Sequence, residues 1–276
     1  MPFVNAADGT RIHFEVTGRR KGTPVVLIQG LGATKSGWNL QRVAMATRYN
    51  TIALDNRGAG RSDAPTRPFT LEQMADDVIA VMDAVGVDSA HIVGASMGGV
   101  ITQIVGVKYP ERVRSLTLVC TACRNHPWRE DLLKSWATTA QDHGMLALGK
   151  NAAQWVMSPR SFRRLLPAIG WLGPLSVFRS KSPFVAQVNA ILQTDETLTD
   201  QLATITAPTL VIVGNQDVLT PRGDSEELAD IIPDSELVVI SGAAHGLMIE
   251  HASTFNREVF GFIDRVESRR SLAVSQ

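Results

Sequence analysis

The sequence predicts an α/β fold, with a mainly parallel, twisted sheet, helices on both faces and a helical insertion. Three observations predict it. Short apolar, β-rich runs alternate with segments of helical spacing along most of the 276 residues. Several of the runs are almost wholly apolar, as expected of strands buried on both faces. One interval of more than 80 residues, from near Thr121 to near Pro208, breaks the alternation and is far longer than a crossover requires.

The strand-like runs are Arg11 to Val16, Pro24 to Ile28, Thr51 to Leu54, His91 to Gly94, Ser115 to Val119, Thr209 to Val213 and Glu236 to Ile240. Polar and Gly-rich residues separate the first two, which suits an antiparallel start. Helical spacing covers Trp38 to Arg48, Leu71 to Val85, Met97 to Tyr109 and Ala252 to Val266. In the second of these the apolar positions are Leu71, Met74, Val78, Met82 and Val85, and Thr70 followed by Gln73 has the form of a capping box. The last residues, ESRRSLAVSQ, are expected to fray. The long interval holds Trp128, Trp136, Trp155 and Trp171 with Phe162, Phe178 and Phe184, the content of a helical subdomain laid over the sheet's C-terminal edge. The expected division is therefore a core of residues 1–122 and 206–276 and a helical cap of residues 123–205.

Lysine plus arginine and aspartate plus glutamate both number 27, so nothing in the charge points to nucleic acid, and a small molecule is the expected partner. The N-terminal MPFVNAADGTRIHFEVTG lacks the charged and apolar segments of a leader, and no run is apolar enough to cross a membrane. A cytoplasmic location is expected. Cys120 and Cys123 are too few for a disulfide framework and make half a zinc site at most, so they read as ordinary thiols at a strand end.

The strongest local signal is Gly94-Ala95-Ser96-Met97-Gly98-Gly99, a G-x-S-x-G turn between a strand and a helix. Small residues two before and two after the serine remove side chains that would clash where the turn meets its neighbours. The turn also sets the hydroxyl at a helix N-terminus, where unpaired amides can stabilise an oxyanion. A serine hydroxyl needs a base. Among six histidines, His245 lies in a loop just after the last strand, at the same sheet edge as Ser96. His251 sits where the last helix begins, His13 and His91 fall within strands, and His126 and His143 lie in the insertion. The imidazole in turn needs a carboxylate to fix its tautomer, and Asp217 follows the strand Thr209 to Val213. The bland alternatives are a Gly-rich turn, a loop histidine bonded to backbone and a turn-forming aspartate.

The order Ser96, Asp217, His245 on an alternating chain, with the G-x-S-x-G turn, resembles the α/β-hydrolase family over almost the whole length, in its serine-nucleophile branch. The resemblance implies a sheet of about eight strands. It also implies that Gln29-Gly30-Leu31-Gly32 is the oxyanion loop, so that the backbone N–H groups of Leu31 and Met97 bind the tetrahedral oxygen. Asp55-Asn56-Arg57-Gly58-Ala59-Gly60-Arg61-Ser62 is similar to the family's D-x-R-G-x-G-x-S turn and is expected to border the site. Many members carry histidine where this chain has Gln29, which leaves the backbone donors in place and alters how the loop is braced. Serine at position 96 excludes the branches with an aspartate nucleophile, haloalkane dehalogenases and epoxide hydrolases.

The pocket is expected along Gln29, Gly30 and the insertion's Trp128, Trp136 and Trp155, with no metal and no cofactor. The expected reaction is hydrolysis of an apolar ester or lactone through an acyl-enzyme. Alternatives are carbon–carbon bond hydrolysis of ring-cleavage products, metal-free perhydrolysis as in haloperoxidase-like proteins, and a receptor that binds without turnover. Lys150, Arg160, Arg163, Arg164, Arg179 and Lys181, interleaved with Phe162, Leu165, Leu166, Trp171 and Leu172, read either as a solvated face or as attraction for an anionic substrate or a lipid surface. Oligomeric state is open, a homodimer included.

Overall fold

Eight strands form one mixed sheet in the order β1-β2-β4-β3-β5-β6-β7-β8. The computed structural model describes residues 2–161, 163, 181–194 and 197–274. The strands are β1 (Phe3–Asn5), β2 (Arg11–Gly18), β3 (Thr23–Ile28), β4 (Tyr49–Leu54), β5 (Ala90–Ala95), β6 (Val113–Val119), β7 (Thr209–Gly214) and β8 (Ser235–Ile240). From β4 to β8 every pairing is parallel. The antiparallel start exists, but with other partners than the sequence suggested. Arg11–Gly18 pairs with the short β1 on one side and with β4 on the other, while β3 lies between β4 and β5. The reason is burial: Val25, Val26, Leu27 and Ile28 are fully buried, a pattern that belongs in the middle of a sheet rather than at its edge.

Alternate residues of β3 feed two apolar layers, as the two-residue period of a strand requires. Val26 and Ile28 join the side packed by α2 (Leu71–Ala84) and α3 (Met97–Lys108). Val25 and Leu27 join the side packed by α1 (Asn39–Met45) and the C-terminal helix Ala252–Val274. Each such side chain withdrawn from water contributes roughly 1.5–3 kcal/mol before entropy is set against it. Helix α2 opens on the expected capping box, with Gln73 N–H donating to Thr70 Oγ1 at 3.3 Å and Thr70 N–H donating to Gln73 Oε1 at 3.1 Å. The C-terminal segment does not fray where expected, because the helix continues to Val274, with Ser268 and Ser271 hydroxyls bonded to carbonyls one turn back.

Between β6 and β7 lie helices α4 (Pro127–Val156), interrupted at Gly144 with φ 81°, α5 (Lys181–Leu192) and α6 (Thr197–Gln201). Phe162, Arg164, Leu165, Leu166, Trp171, Leu172, Phe178 and Arg179 lie outside the described residues. After β7 come α7 (Arg222–Ile231) and, past β8, the single turn α8 (Leu247–Glu250) before the long α9 (Ala252–Val274).

Candidate active site

Since β5, β7 and β8 run parallel, the residues just past their C-terminal ends, Ser96, Asp217 and His245, share one edge of the sheet. Strands sit about 4.8 Å apart, so the loop after β8 must fold back over β7 to bring an imidazole near the end of β5. It does so at Gly214. A side chain there would put its Cβ 2.2 Å from the Ala243 carbonyl oxygen, so only glycine lets the two backbones meet. Gln216 N–H donates to that carbonyl at 2.8 Å and Gly242 N–H to Asn215 Oδ1 at 2.7 Å, which fixes the fold-back.

Ser96 has φ 55° and ψ −120°, a conformation that costs a non-glycine residue on the order of 1–3 kcal/mol. Its surroundings hold it there. Ser96 N–H donates to Val119 C=O at 2.8 Å, and Ser96 C=O accepts from Thr121 Oγ1 and Gly99 N–H, each at 2.8 Å. Helix α3 then passes so close to β3 that a Cβ at Gly98 would lie 2.5 Å from the Ile28 carbonyl oxygen. That closeness sets the first turn of α3, whose early amides have no partner within the helix, beside the loop that follows β3.

In that loop the amides can be assigned in turn. Gly30 N–H donates to Gln29 Oε1 at 3.2 Å, Gly32 N–H to Gln187 Oε1 at 2.8 Å and Ala33 N–H to Gly30 C=O at 3.2 Å. Among the described residues Leu31 N–H has no such partner, and Leu31 and Met97 both line the cavity beside Ser96. Gln29 thus braces its own loop from within, while Asn56 Nδ2 donates to Gln29 C=O at 2.8 Å.

Asp217 is buried and its carboxylate is saturated. Oδ1 accepts from Leu219 and Thr220 N–H, both at 2.9 Å, and Oδ2 accepts from Thr220 Oγ1 at 2.9 Å and faces His245 Nδ1 at 2.8 Å. Burial by itself would raise the carboxyl pKa, but the His245 charge and the bonds from His245 and Thr220 outweigh it and hold Asp217 below 3.8. With Nδ1 engaged by the carboxylate, the other ring nitrogen is left for the cavity.

That cavity has a volume of about 470 Å³, and Ser96, His245, Gln29, Gly30 and Trp136 all line it. Trp128 and Trp155, expected beside Trp136, do not. Trp128 is 40% exposed with the Arg129 guanidinium over its ring, and Trp155 is half-buried against the core. Both stand on the same broken helix as Trp136, which reaches the cavity through Arg129, Glu130, Leu133 and Trp136 before the break and Ala152 and Val156 after it. Of the basic stretch from Lys150 to Lys181, the described residues Lys150, Arg160, Arg163 and Lys181 are exposed and do not line it either, whereas Arg124 and Arg129, earlier in the insertion, do.

Three of the other five histidines are engaged elsewhere: His13 with Asp55 at 2.9 Å, His91 with Ser115 Oγ at 2.7 Å, and His126 with Asp224 at 3.3 Å. Arg57 of the D-x-R-G-x-G-x-S turn is buried and clamps Asp77 through two bonds of 2.7 Å, with Asp8 at 2.9 Å.

Sequence reasoning passed over three residues. Thr220 lies three positions after Asp217 and its hydroxyl bridges Asp217 and His245, at 2.9 and 3.2 Å. Cys120 directly follows β6, the strand between those that precede Ser96 and Asp217, and adopts φ 45°. Its Sγ, an Asp217 oxygen and a His245 nitrogen lie within 4.8 Å of one another, the kind of set that can hold a metal. Burial first, and then the Asp217 charge, push the thiol well above its ordinary value, and the Asp217 oxygens are already engaged by Leu219, Thr220 and His245. The third residue, Gln187, has no local signal at all, since its partners are 155 and 130 positions away.

The alpha/beta hydrolase fold family matches residues 23–252. The chain belongs to the α/β-hydrolase family. Among relatives of this α/β-hydrolase is RutD of Azorhizobium caulinodans, which carries the name carbamate hydrolase and is 30% identical over 97% of this chain and 100% of its own. The 3-oxoadipate enol-lactonase 2 of Acinetobacter baylyi is 26% identical over 94% of this chain and 95% of its own. Among solved structures, the enol-lactonase from Burkholderia xenovorans LB400 superimposes with a TM-score of 0.88 at 28% identity, covering 95% of this chain and 100% of that one. Among the described residues no helix is long and apolar enough to cross a membrane.

Proposed function

We propose that this α/β-hydrolase cleaves a carboxylic ester or lactone through an acyl-enzyme on Ser96, with residues 123–205 as the cap over its site. The observation that carries the reading is the meeting, in one cavity, of a strained serine, an Asp217-bound imidazole and the unpartnered N–H of Leu31.

Ser96 Oγ attacks the substrate carbonyl as His245 Nε2 takes its proton, and Asp217 stabilises the imidazolium so formed. The negative charge that develops on the carbonyl oxygen is met by Leu31 and Met97 N–H, donors already in place before the reaction. His245 then protonates the leaving oxygen, water enters, and the same imidazole activates it to release the acid and restore Ser96. The cavity walls, with Val100, Leu133, Trp136, Phe184, Leu192 and Met248, are mainly apolar. That lining and volume suit an apolar acyl group or lactone ring and would leave a small carbamate mostly uncontacted.

A fluorophosphonate probe tests the chemistry: it should label the wild-type chain and not Ser96→Ala. A panel of p-nitrophenyl esters of rising chain length, aliphatic lactones, a carbamate ester and a vinylogous diketone then tests the substrate class. Turnover of the diketone or the carbamate at a higher kcat/KM than every ester and lactone would refute the proposed class while leaving the nucleophile standing.

A further inference from the structure

We infer that Gln187, on the cap helix α5, is a positioning residue for the oxyanion donor at Leu31, so that the cap holds part of the catalytic loop in register as well as covering the cavity. This rests on the acyl-enzyme reading above.

Gln187 is 1% exposed, and both ends of its amide are taken by backbone groups of the core. Oε1 accepts from Gly32 N–H at 2.8 Å, and Nε2 donates to Arg57 C=O at 2.9 Å. A buried amide is costly unless both ends are paired, so this one fixes the helix and two core loops relative to one another. One of those loops is anchored independently, because Arg57 is clamped to Asp77 and Asp8. The same loop meets α5 again where a Cβ on Gly58 would fall 2.9 Å from Pro183 Cβ, leaving no room for the helix to settle closer. The anchored position is therefore passed through Gln187 to Gly32. On its other side Leu31 is flanked by Gly30, whose N–H is held by Gln29. Leu31 N–H is thus aimed by two side-chain amides, one belonging to its own strand end and the other to the cap. Nothing else described accepts from Gly32 N–H, so loss of Gln187 frees one side of the donor.

Deleting an oxyanion donor outright costs about 10²- to 10³-fold in kcat, and loosening one costs less. The expected loss is about tenfold. Gln187→Met keeps the side-chain volume and makes neither hydrogen bond, whereas Gln187→Glu keeps an acceptor for Gly32 N–H. Three quantities are measured for each: kcat and KM on the best ester of the panel, Ki for a trifluoromethyl ketone of matching chain, which forms an oxyanion on Ser96, and Kd for the corresponding carbinol, which does not.

For Gln187→Met, kcat falls about tenfold, the ketone Ki rises by a similar factor, and KM and carbinol affinity stay within about twofold; Gln187→Glu recovers part of kcat. An unchanged kcat and ketone Ki, even with a lowered Tm, overturns the inference by showing that the amide is merely structural. Equal weakening of ketone and carbinol overturns it as well, since the pocket at large would then have changed. If Gln187→Met does not fold, Gln187→Asn, one methylene too short to span both loops, is read by the same criteria. A wild-type chain that the fluorophosphonate does not label overturns the nucleophile reading itself, whereas labelling of wild type together with indifference to position 187 overturns this inference alone.

Discussion

Replacing Asp217 by Asn changes one atom of a buried, fully bonded group, and the structure specifies what that change does. The Asn Oδ1 can keep the Leu219 and Thr220 N–H bonds, while its NH₂ takes the place of the oxygen that faces His245 Nδ1 and Thr220 Oγ1. Both amide hydrogens then find acceptors, because the Thr220 hydroxyl can turn and Nδ1 can carry its lone pair toward the amide. The fold is therefore expected to survive. The imidazole is not catalytically intact, however, since a donor at Nδ1 selects the tautomer with its proton on Nε2, the nitrogen that must accept from Ser96. Loss of the correct tautomer and of the charge that stabilises the imidazolium costs about 10⁴-fold in kcat, or roughly 5 kcal/mol in the barrier. Loss of the charge-assisted bond costs stability on the order of 1–2 kcal/mol, equivalent to a few degrees of Tm at this chain length. Acid provides a second check. Asp217 titrates below 3.8 in the folded chain, so its stabilisation is present at neutral pH and is lost as the pH falls through the folded value, an increment that Asp217→Asn lacks. Ester hydrolysis and thermal melting, at neutral pH and between pH 5 and pH 3, read both effects. A kcat within tenfold of wild type in a folded variant would refute the assignment of Asp217.

Three further outcomes are expected. Ser96→Gly abolishes hydrolysis and, by releasing the φ 55° strain against a modest entropic cost of glycine, raises stability by about 1 kcal/mol in urea melts; a loss of stability would mean that the elbow is not strained. Cys120 and Cys123 are buried, the first held well above its ordinary value and the second pushed up to about 11, chiefly by burial in both cases. Neither should react with Ellman's reagent in the native chain at pH 8, and both should react in denaturant. Burial holds His91 below 6.5 in spite of Glu267, so the unfolded chain binds the extra proton first and stability falls as the pH drops through about 6.5. His91→Gln should flatten Tm between pH 7.5 and 5.5, and an unchanged slope would count against this.

Much of the fold could be read because its signals are local. Each apolar run became a strand with ends shifted by no more than two residues, and Thr70 with Gln73 closed the box expected of them. That Ser96, Asp217 and His245 share one sheet edge was legible for a related reason, because each follows a strand and the parallel ladder puts the ends of those strands on one side. What could not be read depends on which strands are neighbours. The place of β2 between β1 and β4 and the closeness of Cys120 to Asp217 and His245 both follow from strand order, which no window of sequence contains. Trp128, Trp136 and Trp155 were alike in composition and differ in the helix face each occupies, and of the three only Trp136 lines the cavity. Gln187 is the extreme case, an ordinary helical residue whose meaning lies entirely in two backbone groups far away along the chain.

On the opposite rim, Gly246 N–H, next to His245, donates to Val156 C=O at 2.7 Å, and Glu250 accepts from Ser158 N–H at 2.8 Å. These stitches have a consequence for engineering. A designer who replaces the segment around Val156 with a relative's, to change substrate range, also removes a carbonyl bonded next to His245, the proposed general base, and a chimera that omits to rebuild it is expected to lose turnover on old and new substrates alike.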